Sequence, residues 1–366
     1  MKIVYLGTPE FAVAPLKKIL SMDGFEVIAV VCNRDKPVGR KKILTPPPVK
    51  VVAEEFGIPV YQYDSIRKEG AEDMKRLAPD LMITCAFGQI LSKEILDIPP
   101  LGTLNIHGSL LPLYRGASPV QTAVRNGEKE TGITVMRTDV GVDTGDMLLK
   151  IKTEIGEEET AGELFSRLSV IGAEAIEKAL ILVAEGKAVF TPQDNEKATV
   201  TKMIDKSQAF IDFTDTATDT VNKIRAFNPS PVCYTLLGGE PLKIYRARVS
   251  DIPEEKLSGY AESGISDRSC HQCAFLFHFF SLPNQYLYLK VFLPLVPVFT
   301  LKRYPESGKS FSSRIEAVVI IKSSSCLPAK QQQDAFLAGT SILSDIFPVE
   351  ESIFKTAPPS QRASHM

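Results

Sequence analysis

The sequence predicts an open, mostly parallel α/β sheet with helices on both faces, followed by a smaller second domain. Three observations carry this. Short β-branched runs alternate with amphipathic stretches through the first half of the chain, as strands covered by crossover helices do. Several runs end in glycine-containing polar turns: Gly7-Thr8-Pro9, Phe87-Gly88-Gln89 and His107-Gly108-Ser109. A chain of 366 residues exceeds one hydrophobic core. With 44% apolar and 23% charged residues and no low-complexity tract, it buries enough surface to offset its ordering entropy.

Lys2 to Leu6 reads as the first strand, without the basic segment, apolar core and cleavage site of an export signal. Glu26 to Cys32, Leu81 to Ala86 and Gly102 to Ile106 read as further strands. Phe11 to Met22, Val49 to Phe56 and Ser65 to Leu77 place apolar residues at helical spacing between them. Thr131 to Arg137 and Asp146 to Lys152 flank a turn-rich segment, and Thr160 caps a long helix with Glu163 three residues on. These elements make a catalytic domain over residues 1–188. Residues 189–206, rich in Thr, Lys and Asp around Pro192, read as an extended linker. A second domain begins over 207–253 with a helix at Thr218 to Phe227. Residues 254–366 differ in kind: they hold 17 serines against 10 before them and show neither period-two nor helical regularity, so a poorly ordered or aberrant tail is expected.

A net charge of -2 means that any contact with nucleic acid must come from a local patch. The cysteines at 32, 85, 233, 270, 273 and 326 fit reduced thiols in a cytoplasmic protein. Cys270-His271-Gln272-Cys273 lacks a second ligand pair, so no metal is expected. Ala274 to Leu301 is apolar but interrupted by Pro283, Pro294 and Pro297, which argues against a membrane span. After the first strand, Gly7-Thr8-Pro9-Glu10-Phe11 lacks the later glycines of a dinucleotide fingerprint, so the layout is Rossmann-like without that cofactor role.

In open α/β sheets, ligands bind beyond the carboxyl ends of the strands. There lies Asn105-Ile106-His107, whose period-two spacing turns the amide and the imidazole to one side. A second segment, Asp139-Val140-Gly141-Val142-Asp143-Thr144-Gly145, brackets an acid with glycines that allow unusual backbone conformations. An amide donor, an imidazole and a carboxylate suit acyl transfer to an amine. Asn105 and His107 would donate to the tetrahedral oxyanion, and Asp143 would orient His107 and help carry the amine proton.

Asn105-x-His107, Ser109-Leu110-Leu111-Pro112 with Tyr114-Arg115-Gly116, and Asp139-x-Gly141-x-Asp143-x-Gly145 together resemble the formyltetrahydrofolate-dependent transformylases. Leu6 to Ala12, Arg115 to Gln121 and the stretch from Pro192-Gln193-Asp194 to Asp212-Phe213 are most similar to the branch that formylates methionyl-tRNA. The resemblance covers residues 1 to about 250. It implies 10-formyltetrahydrofolate as donor, with Ser109, Leu110, Leu111 and Pro112 lining the folate site and Gln89, Ile90 and Leu91 flanking the pterin. It also implies a second domain like an oligonucleotide-binding β-barrel, here incomplete, and a loop gripping the acceptor stem of initiator methionyl-tRNA. Arg34 to Lys50 supplies such a loop, a flexible one, with Arg40, Lys41 and Lys42 as tRNA contacts. A monomer is expected. The alternatives are a transformylase acting on an amino-sugar nucleotide or glycinamide ribonucleotide, or a catalytically idle folate- or RNA-binding protein.

Overall fold

A computed structural model describes residues 1–39, 41–211, 214–237 and 240–249, and the backbone of four strands between 276 and 321. The chain divides into two compact units, one of residues 1–208 and 225–231, the other of residues 209–224 and 232–366.

The first unit is built on a seven-stranded sheet. From β1 (Lys2–Gly7) the chain passes through α1 (Val13–Leu20) to β2 (Glu26–Cys32), a hairpin of β3 (Lys36–Val38) and β4 (Ile43–Thr45), α2 (Pro48–Glu55) and β5 (Val60–Gln62). It returns through α3 (Ile66–Glu69) and α4 (Ala71–Leu77) to β6 (Leu81–Cys85), then through α5 (Lys93–Leu96) to β7 (Thr103–His107). The strands β5, β2, β1, β6 and β7 are parallel neighbours in that order. The chain therefore reverses its direction of growth between β1 and β6, which opens a ligand crevice at their carboxyl ends. After β8 (Arg115–Gly116) and α6 (Pro119–Arg125), β9 (Glu130–Arg137) and β10 (Met147–Glu154) complete the sheet in antiparallel register.

The inner strands are buried on both faces. Ile3, Val4, Tyr5, Leu6, Leu81, Met82 and Ile83 are wholly inaccessible, as the near-continuous apolar runs of a covered parallel sheet require. The long helix α7 (Ala161–Ala184) starts in a complete capping box: the Glu163 amide donates to Thr160 Oγ1 at 3.3 Å and Glu163 Oε2 accepts from the Thr160 amide at 2.9 Å. Such a cap contributes about 1 kcal/mol. Ser169 Oγ donates to the Phe11 carbonyl at 2.8 Å, and the Phe11 and Phe165 rings meet edge to face, fixing α7 against the start of α1.

Two expectations change here. The 34–50 segment is not simply a flexible loop, because β3 and β4 pair Lys36 with Thr45 and Val38 with Ile43, and α2 starts at Pro48. Residues 189–206 lie along the first unit: Thr191 and Met147 exchange both backbone hydrogen bonds, and β11 (Val200–Thr201) pairs with β8.

The second unit contains most of α8 (Ala217–Ala226), then the hairpin of β12 (Cys233–Leu237) and β13 (Glu240–Ile244). The Ile211 amide donates to the Tyr234 carbonyl at 2.8 Å, and the rings of Phe210 and Tyr234 stand 5.6 Å apart. β14 (Arg246–Val249) joins β15 (Leu276–Ser281), β16 (Leu287–Leu293), β17 (Val296–Arg303) and β18 (Ile315–Ile321) in an open sheet, order β14-β18-β17-β16-β15. Strands therefore occur beyond residue 253, where the sequence shows no period-two pattern. Runs such as Leu276-Phe277-His278-Phe279-Phe280 put apolar residues on both sides of a single polar one, which hides the period of two.

Candidate active site

Asn105 and His107 are the third and last residues of β7, so the pleat turns both toward the same side. Each is fixed by its neighbours. Asn105 Oδ1 accepts from Thr84 Oγ1 of β6 at 2.9 Å, which orients the amide so that Nδ2 donates to Asp143 Oδ1 at 3.2 Å. His107, buried, donates through Nε2 to the Tyr114 carbonyl at 2.9 Å. A carbonyl only accepts, so Nε2 carries a proton. In the neutral ring, Nδ1 is then the basic nitrogen, and it faces Asp143 Oδ2 at 3.6 Å, ion-pair range but beyond a hydrogen bond.

Asp143 occupies the left-handed region at φ 52°. Asx residues tolerate that region better than other side chains because they bond locally. Its Oδ2 accepts from the Gly116 amide at 2.8 Å. The bracketing glycines act differently from expectation. Gly141 and Gly145 do not supply the positive φ; they supply space, since a Cβ on Gly145 would lie 1.9 Å from the Arg137 carbonyl oxygen and one on Gly141 would lie 2.1 Å from Thr144 Oγ1. The turn closes on itself, as Thr144 Oγ1 and the Gly141 amide both donate to Asp139 Oδ1, at 2.7 and 3.0 Å.

Residues 1–180 match the family described as formyl transferase, and residues 203–267 match the formyl transferase C-terminal domain. The methionyl-tRNA formyltransferase of Ruminiclostridium cellulolyticum is 46% identical over 252 residues, 69% of this chain and 80% of that one. That of Geobacter sulfurreducens is 47% identical over 251 residues, covering 68% and 79% of the two chains. The chain belongs to the methionyl-tRNA formyltransferase family. Two solved structures share its fold. WlaRD, a sugar 3N-formyl transferase, has a TM-score of 0.55 at 22% identity over 79% of this chain and 93% of its own. An N-formyltransferase of Helicobacter canadensis, in complex with folinic acid and dTDP-3-aminofucose, has a TM-score of 0.52 at 21% identity over 79% and 95%.

The expected folate residues divide by exposure. Ser109 and Leu111 are wholly buried, Ser109 Oγ donating to the Leu113 carbonyl at 2.6 Å and the Leu111 amide to Thr134 Oγ1 at 3.1 Å, so they hold the strand exit in shape. Leu110 and Pro112 are half-buried, Lys150 Nζ donates to the Leu111 carbonyl, and burial pulls the Lys150 ammonium below its ordinary range. Gln89 is spent within the protein: Nε2 donates to Asn33 Oδ1 at 2.7 Å and to the Tyr63 carbonyl at 3.1 Å, while Oε1 accepts from the Ile66 amide at 2.8 Å. Leu91 is buried in a core cluster with Phe87 and Ile95, whereas Ile90 is 62% exposed.

Lys41 and Lys42 sit exposed at the tip of the β3–β4 hairpin; Arg40 lies outside the described residues. Lys50 is not free to grip phosphate, since it bonds both Asp35 oxygens at 3.0 and 2.9 Å, and Arg34 pairs with Asp64 at 2.8 Å. Gln62, which sequence reasoning missed, binds Lys50, Asp35 and the Asn33 carbonyl at once. Its bond and that of Lys50 hold the Asp35 carboxyl below its usual range. Among the described residues no group of three or more His, Cys, Asp and Glu is placed to hold a metal, and no helix is long and apolar enough to cross a membrane. Cys270 and Cys273 lie outside the described residues.

Proposed function

We infer that this chain transfers the formyl group of 10-formyltetrahydrofolate to the free amino group of methionyl-initiator-tRNA. One observation carries the chemistry: three residues from two distant segments meet at the carboxyl end of one sheet strand, Asn105 bonded to Asp143 and His107 in ion-pair range of it. Relatives at 44–47% identity carry the acceptor, against 21–22% for the sugar formyltransferases that share the fold.

The amine attacks the formyl carbon directly. A new C–N bond forms, the oxyanion collapses, the bond from the formyl carbon to N10 of the folate breaks, and N10 takes up a proton while the amine gives one away. Asn105 has a second N–H for the oxyanion once its first is committed to Asp143. With Nε2 committed to Tyr114, His107 serves at Nδ1, accepting the amine proton beside the Asp143 carboxylate, which stabilises the imidazolium. This refines the expected division of labour, in which His107 was an oxyanion donor.

Leu110, Pro112 and Ile90 are the folate contacts best supported by exposure; Arg40, by its place in the basic segment, and the exposed Lys41 and Lys42 contact the acceptor stem. Residues 1–188 act as the catalytic domain, and the protein works as a cytoplasmic monomer, in keeping with reduced thiols at Cys32 and Cys85. The deciding assay offers the full chain 10-formyltetrahydrofolate with three acceptors: methionyl-initiator-tRNA, an amino-sugar nucleotide and glycinamide ribonucleotide. Turnover with the tRNA alone is expected. Turnover with another acceptor moves the chain to that branch, and folate binding without any turnover makes it a binding protein.

A further inference from the structure

We propose that Gln193 is a positioning residue that holds Asp143 in its reactive geometry, and that Arg115 anchors it. Gln193 lies in the segment otherwise read as a linker, yet it is buried beneath the Asp143 turn. Its Nε2 donates to the carbonyls of both Asp143 and Gly145, at 2.8 and 2.7 Å, so one amide group spans the turn. Its Oε1 accepts from Arg115 Nε at 2.9 Å, and Arg115 Nη2 reaches Asn195 Oδ1 at 2.8 Å. The buried Arg115 guanidinium makes no ion pair among the described residues, so its charge polarises the amide that grips the turn.

The residue after Arg115 completes the clamp. The Gly116 amide holds the Asp143 carboxylate from one side while Arg115, through Gln193, holds the main chain of the same residue. Gly116 stands at φ 102°, and a Cβ there would lie 2.4 Å from the Thr201 carbonyl oxygen, so β8 and β11 meet closely enough to bring segment 190–201 onto the turn. Even for an Asp, φ 52° carries some strain and is held fixed where the surroundings bond it on several sides. Here three bonds do so. With Gln193 unable to donate, the part-buried Asp143 carbonyl and the buried Gly145 carbonyl lose their partner and the turn relaxes, moving Asp143 away from His107 and Asn105.

The test rests on Asp143 being the catalytic carboxylate and checks that separately. Gln193→Glu keeps the size and the acceptor for Arg115 but presents an oxygen to the two carbonyls. Formyl transfer to methionyl-initiator-tRNA is measured for wild type, Q193E, Asp143→Asn and the double variant, alongside thermal unfolding. Q193E is expected to lower kcat on the order of 10²-fold, with KM for both substrates within about twofold. In the D143N background the same change is expected to have almost no further effect, because the group being positioned is gone. Should Q193E not fold, Arg115→Lys, which removes the Nε donor, is expected to show the same kcat-only loss at smaller size. Losses that multiply in the double variant, or a loss confined to KM, overturn the proposal. An active D143N overturns instead the catalytic role of Asp143.

Discussion

The Asp143 turn and the basic β3–β4 hairpin are both short, glycine-marked excursions from the sheet, and they are held in opposite ways. The turn is bonded at its carboxylate by Gly116 and Asn105, at its main chain by Gln193, and internally through Asp139. The hairpin's side chains are fastened, among the described residues, at its root, where Asp35, Lys50 and Gln62 lock together. Its tip presents Lys41 and Lys42, without an ion pair among the described residues, beside exposed Val38, Ile43 and Leu44. A group that must meet a transition state has to be placed in advance, because a small misplacement costs rate directly. A cation that grips phosphate works at longer range and tolerates a looser tip.

The largest expected effect breaks or upholds that contrast at the turn. Asp143→Asn should lower kcat by about 10²–10⁴-fold in single-turnover formyl transfer while folding normally, the range for losing a positioned proton-transfer group. A loss below tenfold would show the turn to be scaffolding only. At the hairpin tip, Lys41→Ala combined with Lys42→Ala should raise KM for tRNA and leave kcat unchanged. The slope of log affinity against log salt should fall by roughly one for each lysine removed. An unchanged slope would mean that the tip does not touch phosphate.

At the hairpin root the effect is smaller. Asp35→Asn should raise KM for tRNA about two- to fivefold, the size of a partly exposed ion pair, with KM for folate unmoved. The least effect is a matter of pH. Burial pushes the Cys32 thiol up to about 11, outweighing the nearby Lys50 ammonium and the Gln62 bond, which pull it down. The folded value lies above the unfolded one, so this contribution to stability is whole below about pH 9 and is lost as pH rises toward 11. At pH 8 only on the order of a thousandth of the thiol is thiolate, so iodoacetamide should leave Cys32 unlabelled in the wild type. Faster labelling in Asp35→Asn would show that loss of the Asp35 charge, which helps hold the thiol up, or opening of the root had freed the thiolate.

Apolar runs and helical spacing announce the parallel sheet and most helices around it, because buried strands and amphipathic faces are written in local order. The long helix was legible to its cap at Thr160 and Glu163. The hairpin was not, since Lys36-Pro37-Val38 and Ile43-Leu44-Thr45 are too short to show a period, and α3 and α4 merged because Gly70 alone separates them. The strands beyond 253 show no period because apolar residues stand next to one another in sequence, with polar ones at irregular positions.

At the site, the sequence by itself determined which groups are available: Asn105 and His107 on one side of a strand, and Asp143 between glycines. Only the tertiary structure decided how they are used. It gave the left-handed backbone to Asp143 itself and made the glycines a matter of clearance. It committed His107 Nε2 to Tyr114, leaving Nδ1 toward the carboxylate, and it brought Gln193, fifty residues away in sequence, under the turn. Residue type and spacing are local and can be read along the chain. Hydrogen-bond partners and steric clearances depend on segments that meet only after folding.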